Sequence, residues 1–212
     1  MQPARKFECS RAAIQGADMA TAGVLATLRT GWDAVAALGV PQAVVGGLAL
    51  SAWNHARYTR DADILVAIRP EEVGRIVAAL VKAGMSPRHS PPLRVIDTQG
   101  IAQFTFQPPG ALAPFQFDIL LAGTSFQREA IARAVERGLP DGGSVRVLQP
   151  DDLIIVKLLA GRIIDRADAA MLLRENRADI DFDRLRDEIA RHGLSADYGQ
   201  IWQEAFPGEQ PR

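Results

Sequence analysis

The stretch VVGGLALSAWNHARYTRDADILV, Val44 to Val66, decides how this chain folds. A short β-branched run ends at Gly46 and Gly47, and Leu48 to Asn54 reads as a short helix. An Arg-x-Thr-x-Asp-x-Asp pattern, Arg57 to Asp63, then leads into an apolar run that reads as a strand from Asp63 to Ile68. Residues two apart in a strand project to the same side, so Asp61 and Asp63 point together while Ala62 and Ile64 face the other way. Two carboxylates that close repel, and one takes up a proton unless a cation lies between them. A bound Mg²⁺ removes the conflict, because it is commonly held by one or two carboxylates together with substrate phosphates.

A third acid stands in Phe115-Gln116-Phe117-Asp118-Ile119-Leu120. Phe115, Phe117 and Ile119 share one face, which predicts the core, and Asp118 shares the other with Gln116 and Leu120. An acid on a largely apolar strand is costly unless it is paired, solvated or metal-bound. If this strand pairs beside that of Asp63, three carboxylates converge, enough to hold two divalent ions for phosphoryl chemistry. Gly46 and Gly47, between a strand and a helix, allow backbone N–H groups to approach a phosphate. Each feature also has a plain structural reading: a solvated turn for Asp-x-Asp, an edge-strand charge for Asp118, a tight turn for Gly-Gly. Neither the dinucleotide-binding glycine fingerprint nor a P-loop lysine pattern occurs in the chain.

Outward from these motifs the pattern is an α/β (α+β) one. Residues 1–40 form an N-terminal helical segment, Ala- and Leu-rich from Arg11 to Leu38, with Gly31 as a break between two helices. Residues 41–148 form a small mixed β-sheet core flanked by helices, and residues 149–212 a C-terminal helical region. Pro70-Glu71-Glu72 opens a helix that runs to about Ala83, with Gly84 as its cap. Ser86 to Pro92 is a loop, and Leu93–Asp97, Ile101–Phe106 and Phe115–Leu121 are strands. Gly138 to Ser144 is a turn before a short strand at Val145–Leu148, and Pro150 opens the C-terminal helices.

The chain has 212 residues, 48% hydrophobic and 23% charged, with a formal net charge of −1. That is an ordinary globular composition, without the global cationic field that drives non-specific nucleic-acid binding. Cys9 is the only cysteine, so an internal disulfide framework and a cysteine-based zinc site are excluded. The first residues lack the apolar core of a signal peptide, and no apolar run is long enough to span a bilayer. A cytoplasmic location without membrane contact is the expectation.

Taken together, Gly46, Gly47, Asp61, Asp63 and Asp118 resemble the nucleotidyltransferase superfamily of polymerase-β-like fold. The chain is closer still to the AbiEii-like and minimal nucleotidyltransferase group, many of them toxins of toxin–antitoxin pairs. That group's Gly-Gly-x-Ala, Arg-x-Thr-x-Asp-x-Asp and Pro-acid-Asp-Leu-Ile…Lys motifs are matched at Gly46, Gly47, Ala49, Arg57, Thr59, Asp61, Asp63, Pro150 to Ile154 and Lys157. Ala160, Arg162, Asp165 and Asp168 look like the helix pair that follows.

The resemblance implies Asp61, Asp63 and Asp118 as ligands of Mg²⁺, two ions in all, and Gly46 and Gly47 as donors to the β- and γ-phosphates of an NTP substrate. Asp118 would also assist deprotonation of the acceptor. Arg57 would neutralise phosphate, and Thr59 would either bond a phosphate or orient Asp61. Lys157, a cation in the apolar run Leu153 to Leu159, is either paired to a site acid or reaching the nucleotide. Asp165 joins the nucleotide-binding set, while Asp168 reads as a helix-capping or ion-pairing acid. His55, Trp53 and Trp202 read as structural, and loop residue His89 as solvated or touching substrate.

The implied activity is transfer of an NMP from an NTP to a hydroxyl of tRNA or of a protein, with an antitoxin as partner in a toxin–antitoxin pair. Arg128, Arg133, Arg137 and Arg162 are the candidates for a local tRNA-binding patch. One alternative is a small-molecule nucleotidyltransferase of the aminoglycoside type, which Asp179, Asp181, Asp183 and Asp187 permit. The other is a non-catalytic nucleotide-binding module on the same fold.

Overall fold

A computed structural model describes residues 19–55, 58–96, 99–140 and 142–211. Arg57 and the expected helix before Met19 lie outside the described residues.

Val44 to Val66 folds as strand β1 (Gln42–Val45), short helix α2 (Gly46–Ala52) and strand β2 (Asp61–Val66). Helix α2 therefore starts at the glycines themselves, and β2 starts at Asp61, two residues earlier than the apolar run suggests. β1 and β2 are antiparallel, with Val45 opposite Asp63. β6 (Phe115–Leu121) lies parallel to β2 on its other side, from Asp61 opposite Gln116 to Val66 opposite Leu121. β5 (Gln99–Phe106) runs antiparallel to β6, and its outer edge pairs with β3 (Ser86–Pro87) and β4 (Leu93–Ile96). Beyond β1 come β8 (Ser144–Val147), parallel to β1, and β7 (Val135–Gly138), antiparallel to β8. The result is one open mixed sheet of eight strands flanked by helices.

The period-two pattern of β6 is realised: Phe117, Ile119 and Leu121 are buried, while Gln116, Asp118 and Leu120 lie half-buried on the opposite face. α1 (Met19–Ala36) packs on β2 and β6, with α3 (Val73–Lys82) beside it. The expected break at Gly31 is absent, for α1 runs straight through it. A Cβ at Gly31 would overlap the ring of Phe117, which is fully buried, so this glycine provides close approach of helix to sheet. The helix expected from Pro70 begins as a 3₁₀ turn, Pro70–Glu72, before α3.

Three elements were not expected, the first being β3, whose pairing with β5 at Ser86–Pro87 falls in the stretch that read as a loop. α4 (Ser125–Arg133) is opened by a capping box in which Thr124 and Gln127 each bond the other's backbone N–H. β7 occupies what looked like the approach to a turn.

The C-terminal helices are α5 (Pro150–Ala160), α6 (Ile163–Glu175), α7 (Phe182–Arg191) and α8 (Ser195–Ala205). They pack on one another, and the ring centroid of fully buried Trp202 on α8 lies 5.8 Å from those of Phe182 and Tyr198 and 4.8 Å from Phe206. Buried Asp151 and Asp152, at the start of α5, pair with Arg184 of α7, and Asp152 also accepts from Arg133 of α4 at 2.9 Å. Arg133 therefore holds helices together instead of forming a surface patch. Trp53 ties α2 to this region: its Nε1 donates to the Leu148 carbonyl at 2.7 Å, and its own carbonyl accepts from Asn176 Nδ2 at 2.9 Å. Among the described residues, no helix is long and apolar enough to cross a membrane.

Two glycine-to-alanine substitutions separate helix propensity from packing. Alanine gains about 1 kcal/mol over glycine in a helix interior. Gly74→Ala on α3, where a Cβ meets nothing within 4 Å, raises the melting temperature. Gly31→Ala lowers it, because forcing a methyl into the Phe117 contact costs about 1–3 kcal/mol. Thermal unfolding followed by circular dichroism checks both signs.

Candidate active site

The glycine turn and the acids meet where β1 passes into α2. Gly46 has φ +64°, in the left-handed region, and a Cβ there would overlap the Asp63 carboxylate. Backbone conformation and space thus both require glycine at this position. A Cβ on Gly47 would lie 2.8 Å from Cβ of Thr59. Thr59 Oγ1 donates to the Asp61 carbonyl at 3.2 Å and accepts from the Asp61 N–H at 3.4 Å. Thr59 thus bonds the backbone of Asp61 at both its carbonyl and its N–H.

Register places Asp63 directly beside Asp118 on the neighbouring parallel strand, with Asp61 two residues along the same face. The Asp63 carboxyl is pushed up to about 7 from an ordinary 3.8, first by burial and then by the negative charges of Asp118 and Asp61; Lys157 and Arg162 pull against this. Asp118 is also raised, chiefly by burial, although Gln103 and Gln116 stabilise its anion. Its Oδ2 accepts from Gln103 Nε2 at 3.0 Å and from Gln116 Nε2 at 2.8 Å. Its buried Oδ1 has no hydrogen-bond partner among the described residues.

Lys157 on α5 is buried and donates to Oδ1 of Asp165 and Oδ2 of Asp168, both at 2.8 Å. Asp165 is lowered overall: burial raises it, but the bonds from Arg162 and Lys157 prevail. Arg162 reaches Asp165 through Nε at 2.6 Å and Nη2 at 3.1 Å. His55 Nε2 lies 3.2 Å from Asp168 Oδ1. Lys157 is therefore paired to two acids of α6, and its charge also acts on Asp63. His55 and Asp168, which read as structural residues in the sequence, belong to this cation cluster.

Sequence reasoning also passed over Gln103 and Gln116, the amides that hold Asp118. Their only signal is a polar residue on the non-core face of each strand. Other expected surface groups have partners within the chain. Arg128 Nη1 donates to the Ala122 carbonyl at 3.2 Å, and the Arg137 guanidinium lies 4.1 Å from the centroid of the Trp53 ring. Asp181 caps α7 by accepting from the Arg184 N–H, and Asp183 pairs with Arg186.

Among the described residues, no three acids, histidines or cysteines are gathered tightly enough to cage a metal ion by themselves. The donors nevertheless suit Mg²⁺, which keeps open positions for phosphate and water instead of needing an all-protein cage. Two adjacent carboxylates and the orphaned Oδ1 of Asp118 provide what such an ion lacks in water-poor surroundings.

The sequence model of the family described as "Nucleotidyl transferase AbiEii toxin, Type IV TA system" matches residues 34–209. No curated protein matches the chain. Among solved structures, the antibiotic-resistance factor ANT(2'')-Ia in solution is similar at 18% identity and TM-score 0.50, covering 88% of this chain and 98% of its own. A nucleotidyltransferase from H. pylori, so described as putative by its authors, is similar at 13% identity and TM-score 0.51, covering 92% of this chain and 86% of its own. At these identities the likeness is one of fold.

The Asp63 shift has a definite sign in stability. Between the ordinary carboxylate value of 3.8 and about 7, the folded protein keeps a proton on Asp63 that the unfolded chain has released. That contribution is fully present below the lower value and is lost as pH rises through the upper one. In chelator-treated protein, the melting temperature of Asp63→Asn relative to wild type is therefore expected to rise between about pH 5 and about pH 8. Parallel melts across that range check it, and a constant difference would contradict the assignment.

Proposed function

The chain belongs to the AbiEii nucleotidyltransferase family and is a nucleotidyltransferase, and on that footing we propose that it moves a nucleoside monophosphate from an NTP onto a hydroxyl of tRNA or of a protein, using Mg²⁺. The observation that carries this reading is Asp63 in register beside Asp118, with Gly46 opening space directly against the Asp63 carboxylate. Asp61, Asp63 and Asp118 would hold the metal, which supplies charge neutralisation for the triphosphate and the departing pyrophosphate.

The chain's own groups do the rest. Backbone N–H groups of Gly46 and Gly47 bind the β- and γ-phosphates, which approach closely because no side chain intervenes. Arg57 assists there as a counter-charge. Lys157, fixed by Asp165 and Asp168, supplies positive potential behind Asp63. The acceptor hydroxyl oxygen attacks the α-phosphorus, and the bond from that phosphorus to the bridging oxygen breaks. The electron pair leaves with pyrophosphate, and the hydroxyl proton passes to Asp118 and then to solvent. Asp118 suits this role because burial lifts its proton affinity while two amides keep it aimed.

The family's description as a type IV toxin supports a toxin role with an antitoxin as partner. The reading of a non-catalytic module loses its ground because Asp118 faces the same side as Asp61 and Asp63. Of the four C-terminal acids behind the aminoglycoside-type reading, Asp181 caps α7 and Asp183 makes an exposed pair with Arg186.

Incubation with each labelled NTP and Mg²⁺, offering total tRNA, the protein itself or an aminoglycoside, tests the proposal. Label is expected on tRNA or on protein. The double variant Asp61→Ala, Asp63→Ala should lower labelling by at least about a hundredfold, the scale of losing one charge-stabilising group. No labelled product with any acceptor, together with no metal-dependent NTP binding, would sink it.

Lys157→Met tests the cation cluster separately. Removing the ammonium leaves Asp165 and Asp168 buried without their shared partner, so the variant melts lower as well as labelling more slowly. A thermal melt alongside the labelling assay reads both effects.

A further inference from the structure

Two hydrogen bonds tie the chain just past α2 to helix α6, and they differ in what stands behind them. The Trp53 carbonyl accepts from Nδ2 of Asn176 at 2.9 Å, and the same Nδ2 donates to the Leu172 carbonyl at 3.1 Å. Both ends of that tie are backbone. His55 Nε2 lies 3.2 Å from Asp168 Oδ1, and the other oxygen of that carboxylate accepts from Lys157 Nζ at 2.8 Å. The Lys157 charge in turn acts on Asp63. The second tie therefore runs on to the acids of the sheet.

His55 is anchored from α2. Its backbone N–H donates to the Leu50 carbonyl at 3.0 Å, which fixes it to the last turn of that helix. The first residue of α2, Gly46, stands against the Asp63 carboxylate. One short helix thus links the sheet acids to the partner of Asp168. A carboxylate paired with an ammonium only accepts hydrogen bonds, so the proton between Asp168 and His55 sits on Nε2 of the imidazole. That contact governs how Asp168 treats Lys157. Two positive groups, Lys157 and Arg162, face two acids, Asp165 and Asp168, and Lys157 is shared evenly, 2.8 Å from one oxygen of each. With Oδ1 engaged by the imidazole, Asp168 offers the ammonium Oδ2 alone. Without the imidazole, both oxygens can turn on Lys157 and draw its charge toward α6, away from the sheet.

We propose that His55 is a positioning residue for the transfer reaction: by holding Oδ1 of Asp168 it keeps the Lys157 charge directed at the triphosphate beside Asp63. It touches neither substrate nor metal and acts only through Asp168 and Lys157. Because its backbone closes α2, it also holds that charge in a fixed relation to the glycine turn. The Trp53–Asn176 bond, which reaches no charged group, fastens the same two segments without this effect. The assignment rests on the transfer reading above and concerns the phosphate end of that site.

The test uses the full-length protein and inorganic triphosphate with Mg²⁺, a probe that reads the phosphate end without a base or an acceptor. Binding is measured by calorimetry, with a thermal melt of each variant alongside. His55→Leu should weaken triphosphate binding by about tenfold, the scale of losing a residue that orients a site group. His55→Gln, whose Nε2 donates from nearly the same place, should recover affinity to within about threefold of wild type. Lys157→Met weakens binding by itself, and adding His55→Leu to it should change affinity by less than about twofold, because the two residues act as one unit. Asn176→Ala cuts the other tie, so it melts lower and binds triphosphate as wild type does. If His55→Leu binds as wild type does, or if His55→Gln fails to restore affinity, the assignment is overturned and the transfer reading stands. The same holds if Asn176→Ala weakens binding as much as His55→Leu, or if the His55→Leu loss persists in full on Lys157→Met, for His55 is then only structural. If wild type binds no triphosphate with Mg²⁺, as the inorganic salt or as any NTP, the transfer reading fails and the assignment falls with it.

Discussion

Two carboxylates held side by side on parallel strands repel, and the rest of the molecule is arranged around that repulsion. The β2–β6 register places Asp63 beside Asp118, and burial first, then this repulsion, pushes the Asp63 carboxyl up to about 7. On one flank the positive charges of Lys157 and Arg162 oppose the shift. On the other, Gln103 and Gln116 steady Asp118 through one oxygen, and the second has no partner among the described residues. A pair so placed is costly in the folded protein and is relieved by a bound cation, which is how a site can be assembled ahead of its ligand.

The buried cation cluster works by the same economy of charge. An ammonium in an apolar helix is tolerable only with close partners, and Lys157 has two carboxylates at 2.8 Å. Each of those acids is itself shared, Asp165 with Arg162 and Asp168 with His55. Asp151 and Asp152 repeat the device at the start of α5 with Arg133 and Arg184. One of these clusters faces the acids of the sheet, and the other fastens α5 to α4 and α7.

Where neighbours in the chain decide the outcome, the sequence was a good guide. The two-residue alternation of β6 identified both its core face and the side on which Asp118 lies, and Pro150 marked the start of the C-terminal helices. Distant partners were another matter. Gly31 reads as a break until Phe117 is found against it. Arg133 reads as a surface cation until buried Asp152 is found beside it. His55 meets Asp168 across 113 residues, and no local pattern announces such a pair. The capping box at Thr124 and Gln127 was visible in the sequence and was passed over, because the short helix it opens has only a weak apolar stripe.

The tie between Trp53 and Asn176 joins the residue after the glycine helix to one 123 positions later. A chain emerging from the ribosome has all three sheet acids before Lys157, Asp165 and Asp168 have been made. Until the last helices dock, Asp63 lacks the counter-charges of Lys157 and Arg162, and contacts of such long sequence separation form late. Synthesis therefore runs ahead of competence: the charge environment described here is a property of the finished chain, and a truncated product ending before α6 carries the glycine turn and the acids without it.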